Sequence, residues 1–78
     1  MSFDIGDFIE LDIGKEFIVL SYCIINDLEY YLVIDKENIN DTLVLQKKKD
    51  LNEIIIVKDK NVIEKVLNQI GNNEEDKV

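Results

Sequence analysis

The segment EFIVLSYCII, from Glu16 to Ile25, is the strongest β-strand signal in this chain of 78 residues. Its residues are mostly aliphatic or aromatic, many of them β-branched, and no polar residue recurs every three or four positions as on a surface helix. Both faces of the strand are apolar, so we predict burial on two sides. Strict alternation would group Phe17, Val19, Ser21, Cys23 and Ile25 on one face and Ile18, Leu20, Tyr22 and Ile24 on the other.

Turn signals on both sides of this segment divide the remaining sequence into further strands. Ile13-Gly14 precedes it and Asn26-Asp27 follows it, and these residue types tolerate the positive φ of tight hairpin turns. The lysines at 47, 48 and 49 predict a solvated tip between the last two strands. The predicted strands are Asp7–Asp12, Glu16–Ile25, Glu29–Asp35, Thr42–Gln46 and Glu53–Lys58.

The hydrophobic period changes after Asp59 and predicts an amphipathic helix over residues 60–70. Asp59 is placed to cap the first turn, and Gly71 is placed to end the helix in a left-handed conformation. The polar stretch 72–78 has no periodicity and predicts a flexible acidic tail. The helix should pack on the sheet through Val62, Ile63, Val66, Leu67 and Ile70.

The short connections favour antiparallel neighbours, because parallel strands need crossovers of a dozen or more residues. We therefore predict an α+β fold: an antiparallel β-meander of four to five strands followed by one C-terminal amphipathic helix packed on one face. Residues 1–71 should form a single domain.

One short helix covers only one face of such a sheet, although both faces are apolar. Either the sheet curls into a partial barrel, or a partner protein or a second copy covers the second face. The second alternative predicts an apolar interaction surface that contains Tyr22 or Tyr31.

Composition excludes most familiar active sites. The chain has no histidine and no arginine, so it offers neither an imidazole base nor a bidentate guanidinium clamp. Cys23 is the single cysteine and has no histidine to activate it, so we predict a buried structural thiol in a reducing cytoplasm. We expect no enzyme activity and no cofactor. We also expect no membrane segment, since no apolar run approaches about 18 residues.

The formal charge of −8 opposes direct nucleic-acid binding, although tyrosines on an open sheet can stack on bases. Acidic side chains crowd the first hairpin. They are either a solvated face or the contact surface of an acidic protein that imitates nucleic acid. These residues are Asp4, Asp7, Glu10, Asp12 and Glu16.

The loop 35–41 superficially resembles a calcium-binding loop, with acids at its first, third and seventh positions. Asn40 stands where the turn glycine belongs, and Gln46 stands where the bidentate glutamate belongs. We therefore predict no metal site.

The order of segments resembles a family of small acidic bacterial proteins, domain of unknown function family 1292. The similarity lies in FIELDIGKEFIVLSYCIINDLEYYLVID, then TLVLQ, then EIIIVKDKNVIEKVLNQI, and covers about residues 8 to 70. The family-like closing segment is Val57, Asp59, Ile63, Val66 and Leu67. The resemblance implies a cytoplasmic bacterial protein with this fold, and implies no activity, catalytic residue or cofactor.

The sequence thus predicts a small non-enzymatic domain that binds protein, either a foreign partner or another copy of itself. The alternative is an acidic, nucleic-acid-mimicking inhibitor, of phage or mobile-element type, directed at a basic nucleic-acid-binding protein.

Overall fold

A computed structural model describes residues 3–12, 14–48 and 53–75. The described residues form five strands and one helix, and every strand boundary lies within two residues of its predicted position. The elements are Phe8–Asp12 (β1), Lys15–Ile25 (β2), Leu28–Asp35 (β3), Thr42–Lys48 (β4), Ile54–Ile56 (β5) and Lys60–Glu75 (α1).

The strands form one antiparallel sheet in the order β1-β2-β3-β4-β5, which confirms the predicted α+β meander with a C-terminal helix. The turn residues behave as their types predict. Gly14 has a φ of +80°, and Asn26 and Asp27 have φ values of 53° and 67°. Two successive positive φ angles give a two-residue hairpin turn whose twist matches that of the flanking strands.

The register between β2 and β3 shifts within β2. Val19 lies opposite Val33, but the next aligned pair is Ser21 with Leu32, so Leu20 has no partner in β3. An extra residue of this kind is a β-bulge, which bends the strand and reverses the faces of the residues that follow it.

The prediction that Phe17, Val19, Ser21, Cys23 and Ile25 share one face is therefore wrong. Phe17 and Val19 belong to one core cluster, whereas Cys23 belongs to the other. Side chains of β3 alternate regularly, because Tyr31 and Val33 lie in the first cluster and Tyr30 lies in the second.

The two clusters occupy opposite faces of the sheet. The helix face carries Cys23, Tyr30 and Val44, against which Val66 and Ile70 of α1 pack. The face opposite the helix is called the inner face. It is formed by Ile9, Phe17, Val19, Tyr31, Val33 and Leu45.

Curling of the sheet buries these six residues of the inner face. Ile9 and Leu11 of β1 contact the same cluster as Ile54 of β5, so the two edge strands approach each other over this face. Phe3 closes one end, where its ring meets Tyr31 edge-on at 5.4 Å between centroids. Of the two predicted arrangements, the structure shows the partial barrel for the inner face.

The helix begins as predicted and ends later. The N–H of Asn61 donates to Asp59 Oδ1 at 2.9 Å, which confirms the cap. The prediction that the helix ends before Gly71 is wrong, because α1 continues to Glu75 and Gly71 has no positive φ. No proline or β-branched residue stands between Ile70 and Val78, so nothing in the sequence forces the helix to stop there.

Leu67 also departs from its prediction, because its side chain is 44% exposed. Val66 and Ile70 lie one turn apart and face the sheet, whereas Leu67 follows Val66 by one residue and is rotated by about 100° to the flank. Among the described residues, no helix combines the length and the apolar character that crossing a bilayer requires.

Candidate functional site

The two candidate tyrosines have different environments. Tyr22 is 47% exposed, whereas Tyr31 is 1% exposed and belongs to the core of the inner face. They are aligned cross-strand partners, with ring centroids 6.1 Å apart and planes tilted by 31°. Placing Tyr31 on an interaction surface is therefore wrong, since curling of the sheet buries its ring. Of the pair, Tyr22 alone can contact a partner.

Tyr31 belongs to a buried polar network that the sequence analysis did not predict. Its hydroxyl donates to Glu29 Oε1 at 2.9 Å and accepts the N–H of Phe3 at 3.3 Å. Lys47 Nζ lies 3.7 Å from the same Glu29 oxygen, and the two charged side chains are only 4% and 8% exposed. The network ties the start of the described chain to β3 and β4.

Lys47 was predicted to lie in a solvated tip, and this prediction is wrong. It lies within β4, directly opposite Glu29 of β3. Alternation from Leu43 and Leu45 directs position 47 to the inner face, where Glu29 compensates the lysine's charge. Lys48 is exposed, and Lys49 lies outside the described residues.

Four of the five predicted acidic residues form two pairs in the structure. Asp4 and Asp7 close a turn, since the N–H of Asp4 donates to Asp7 Oδ2 at 2.9 Å and the N–H of Asp7 donates to Asp4 O at 3.0 Å. Glu10 lies directly opposite Glu16 across β1 and β2. These four residues are exposed, whereas the side chain of Asp12 lies outside the described part.

Glu10 and Glu16 differ in their ion pairing. Lys36 Nζ lies 3.4 Å from Glu16 Oε1, and the same ammonium lies 5.6 Å from the centroid of the Phe8 ring. Glu10 has no cation within ion-pair distance among residues 3–12, 14–48 and 53–75. Like charges directly opposite each other destabilise a sheet, so this acidic pair opposes folding by a small amount.

An apolar row crosses the part of the helix face that α1 leaves uncovered. Phe8 pairs with Ile18, and Ile18 pairs with Ile34, across three neighbouring strands. Phe8 is 58% exposed and the two isoleucines are half-buried. We call Phe8, Ile18 and Ile34 the apolar row. The row could not be predicted from the sequence, because in a strand with two apolar faces an exposed position cannot be distinguished from a core position.

Burial of Cys23 makes its thiol less reactive as a nucleophile. Burial raises the pKa of its thiol, which favours the neutral and less nucleophilic form. Because the thiol is harder to ionise in the folded chain, this group stabilises the fold below the ordinary thiol pKa. That contribution is lost as the pH rises through the raised pKa.

A cleft of about 280 Å³ opens between the first and last strands. Its lining is mainly apolar, with one basic and one acidic side chain. These residues are Leu11, Lys15, Phe17, Asp41, Leu43 and Ile56.

No protein-family model matches this chain, and comparisons with curated proteins and with solved structures give no match either. The resemblance to domain of unknown function family 1292 stays a prediction.

Proposed function

We propose that this chain is a small non-enzymatic domain that binds a partner protein through a surface both apolar and acidic. The observation that carries the proposal is the apolar row, which remains accessible beside Glu10 and Glu16. Full burial of a phenylalanine side chain contributes about 1.5–3 kcal/mol, so Phe8 is the member of the row with most to gain from a partner. Aromatic side chains at the centre of a contact commonly dominate its energy.

Charge favours a basic foreign partner over a second copy. The chain carries a formal charge of −8, so two copies repel each other while a basic surface is attracted. Glu10 and the turn acids Asp4 and Asp7 are exposed near the row in sequence. A lysine-bearing or arginine-bearing rim around an apolar centre is the partner surface that complements this arrangement.

The alternative of an acidic inhibitor that imitates nucleic acid uses the same carboxylates without the row. The two mechanisms differ in their response to salt. Contacts that depend on exposed charges weaken steeply as ionic strength rises, whereas burial of Phe8 and Ile18 does not. Cys23, buried and outside any disulfide, supports a reducing cytoplasm as the setting for either mechanism.

The test compares capture by matched variants from a lysate of the source organism. Phe8→Ser removes the most exposed member of the row, and Leu67→Ser makes a similar apolar-to-polar change at an exposed position on α1. We expect Phe8→Ser to lose a basic partner that the unchanged protein and Leu67→Ser retain, even in high salt. Equal capture by both variants would contradict the proposal. A partner that high salt releases from all three proteins would favour the inhibitor instead.

A further inference from the structure

The two edges of the sheet face each other across the cleft. Among residues 3–12, 14–48 and 53–75, β1 and β5 each pair with a strand on one side only, so alternate N–H and C=O groups on their outer sides have no described strand partner. Leu11 of β1 and Ile56 of β5 line the same cleft. We call this gap between the edges of β1 and β5 the seam.

The seam remains open because β5 is short. Its three residues pair with Leu45, Gln46 and Lys47 of β4, and a further bond beyond them runs from the N–H of Val57 to Val44 O at 2.8 Å. Thr42 and Leu43 pair with β3 but have no β5 partner in the described residues. The lining of the cleft includes the apolar side chains of Phe17 and Leu43.

We propose that the seam accepts an extended segment of a partner protein, which adds a strand along β1 and alternates aliphatic with lysine or arginine residues. The unpaired main chain of the edge specifies an extended backbone as occupant, because only a strand satisfies alternating donors and acceptors. This inference rests on the proposed function, since it assumes that the ligand is a protein.

The alternation of side chains along β1 determines which face of the added strand carries aliphatic residues and which carries basic residues. Ile9 and Leu11 point toward the inner face, so every second residue of an added strand enters the cleft and should be aliphatic. Phe8 and Glu10 point outward, and the residue opposite Glu10 meets a carboxylate without an ion-pair partner in the described residues. A cation there also relieves the repulsion between Glu10 and Glu16.

The same charges argue against a second copy in the seam. Edge-to-edge pairing of β1 with β1 would bring two copies of Glu10 and Glu16 together, with no lysine in either strand segment Phe8–Asp12. Charged residues on an edge strand commonly prevent such self-pairing. The occupant must therefore supply the positive charge.

The test is an NMR titration of the intact isotopically labelled protein with the peptide acetyl-Lys-Val-Lys-Val-Lys-amide. We expect saturable binding with the largest shifts in β1 and around Leu43. A peptide of the same composition in block order, Lys-Lys-Lys-Val-Val, should bind about tenfold more weakly, because it cannot place aliphatic and basic residues on opposite faces. Equal binding of both peptides would overturn the inference.

Two further arms test the backbone and the charge. Amide N-methylation of either the valines or the lysines removes the donors on one edge of the peptide, and at least one of the two peptides should lose about tenfold in affinity. Glu10→Lys should weaken the lysine peptide about tenfold and favour acetyl-Glu-Val-Glu-Val-Glu-amide. Glu64→Lys, an equal charge change at an exposed helix position, should not reverse this preference.

Failure of this inference is distinguishable from failure of the proposed function. No saturable binding up to about 1 mM peptide, or binding that both N-methylated peptides retain, overturns strand addition. Capture of a partner that depends on Phe8 would then still support a protein-binding domain. If Phe8→Ser captures the partner as well as the unchanged protein does, the proposed function is contradicted whether or not the peptide binds.

Discussion

The hydroxyl of Tyr31 is a buried polar group that makes two hydrogen bonds. It donates to Glu29 and accepts from the main chain of Phe3, in a side chain that is 1% exposed. Removing it with Tyr31→Phe leaves the ring packing intact and deletes both bonds. Because one of them is made to a charged carboxylate, we expect the free energy of unfolding to fall by about 1–3 kcal/mol. Urea denaturation monitored by circular dichroism measures this difference.

Tyr22→Phe is the matched control, because it removes a tyrosine hydroxyl from the residue of β2 that lies directly opposite Tyr31. Tyr22 is 47% exposed, so water replaces any bond that its hydroxyl makes, and the change should be below about 0.5 kcal/mol. Equal losses in the two variants would mean that the hydroxyl of Tyr31 adds nothing beyond the ring.

The burial and contacts of some residues could be predicted from residue type, and those of others could not. The buried Cys23 and the capping Asp59 follow from local rules and are confirmed. Lys47 was assigned to a solvated tip and Glu29 was given no role, although each is buried by the register that pairs them. A buried ion pair of this kind depends on a contact between residues distant in sequence, which no local pattern contains.

At the scale of elements, the substitution Gly71→Ala distinguishes the predicted end of the helix from the observed one. The two helix ends predict opposite changes in the free energy of unfolding. The structure places Gly71 inside α1 without a positive φ, and a Cβ added there would meet nothing within 4 Å. Gly71→Ala should therefore raise the free energy of unfolding by about 1 kcal/mol, since alanine is the better helix former. A helix ending in a left-handed glycine at this position would instead be destabilised by alanine.

Gly14→Ala is the contrasting variant in the same assay. A Cβ at Gly14 also meets nothing within 4 Å, but its φ is +80°, so the alanine costs backbone strain of about 1–2 kcal/mol. Opposite signs for the two alanines support the observed helix. A loss of stability in Gly71→Ala would contradict the observed helix and favour the predicted end at Ile70.

Element types and order could be predicted because period and turn chemistry are local. The face assignment of β2 could not, since Leu20 carries no sequence mark of a bulge and is one more apolar residue in an apolar run. One unpaired residue moved Cys23 to the opposite face from Phe17. For the candidate site, burial and not the face separates the two tyrosines, because they are aligned partners on the same face and only Tyr31 is covered.

At the scale of the whole molecule, net charge and the apolar row act against each other. The row offers an apolar surface that another copy could cover, while the charge of −8 keeps copies apart at low ionic strength. Screening reduces this repulsion, since the Debye length falls from about 10 Å at 0.1 M salt to about 3 Å at 1 M. Apolar contacts are not weakened by the same change.

We therefore expect a monomer in low salt and weak self-association in 1 M sodium chloride, measured by sedimentation velocity across a concentration series. Phe8→Ser should abolish the association, because it removes the side chain that is 58% exposed in the row, whereas Leu67→Ser should leave it unchanged. A dimer in low salt would contradict this balance, since its contacts would have to exceed the repulsion between two acidic chains. A monomer at every salt concentration would show that the row is too small to hold a second copy, and that a partner must add charge complementarity or a strand in the seam.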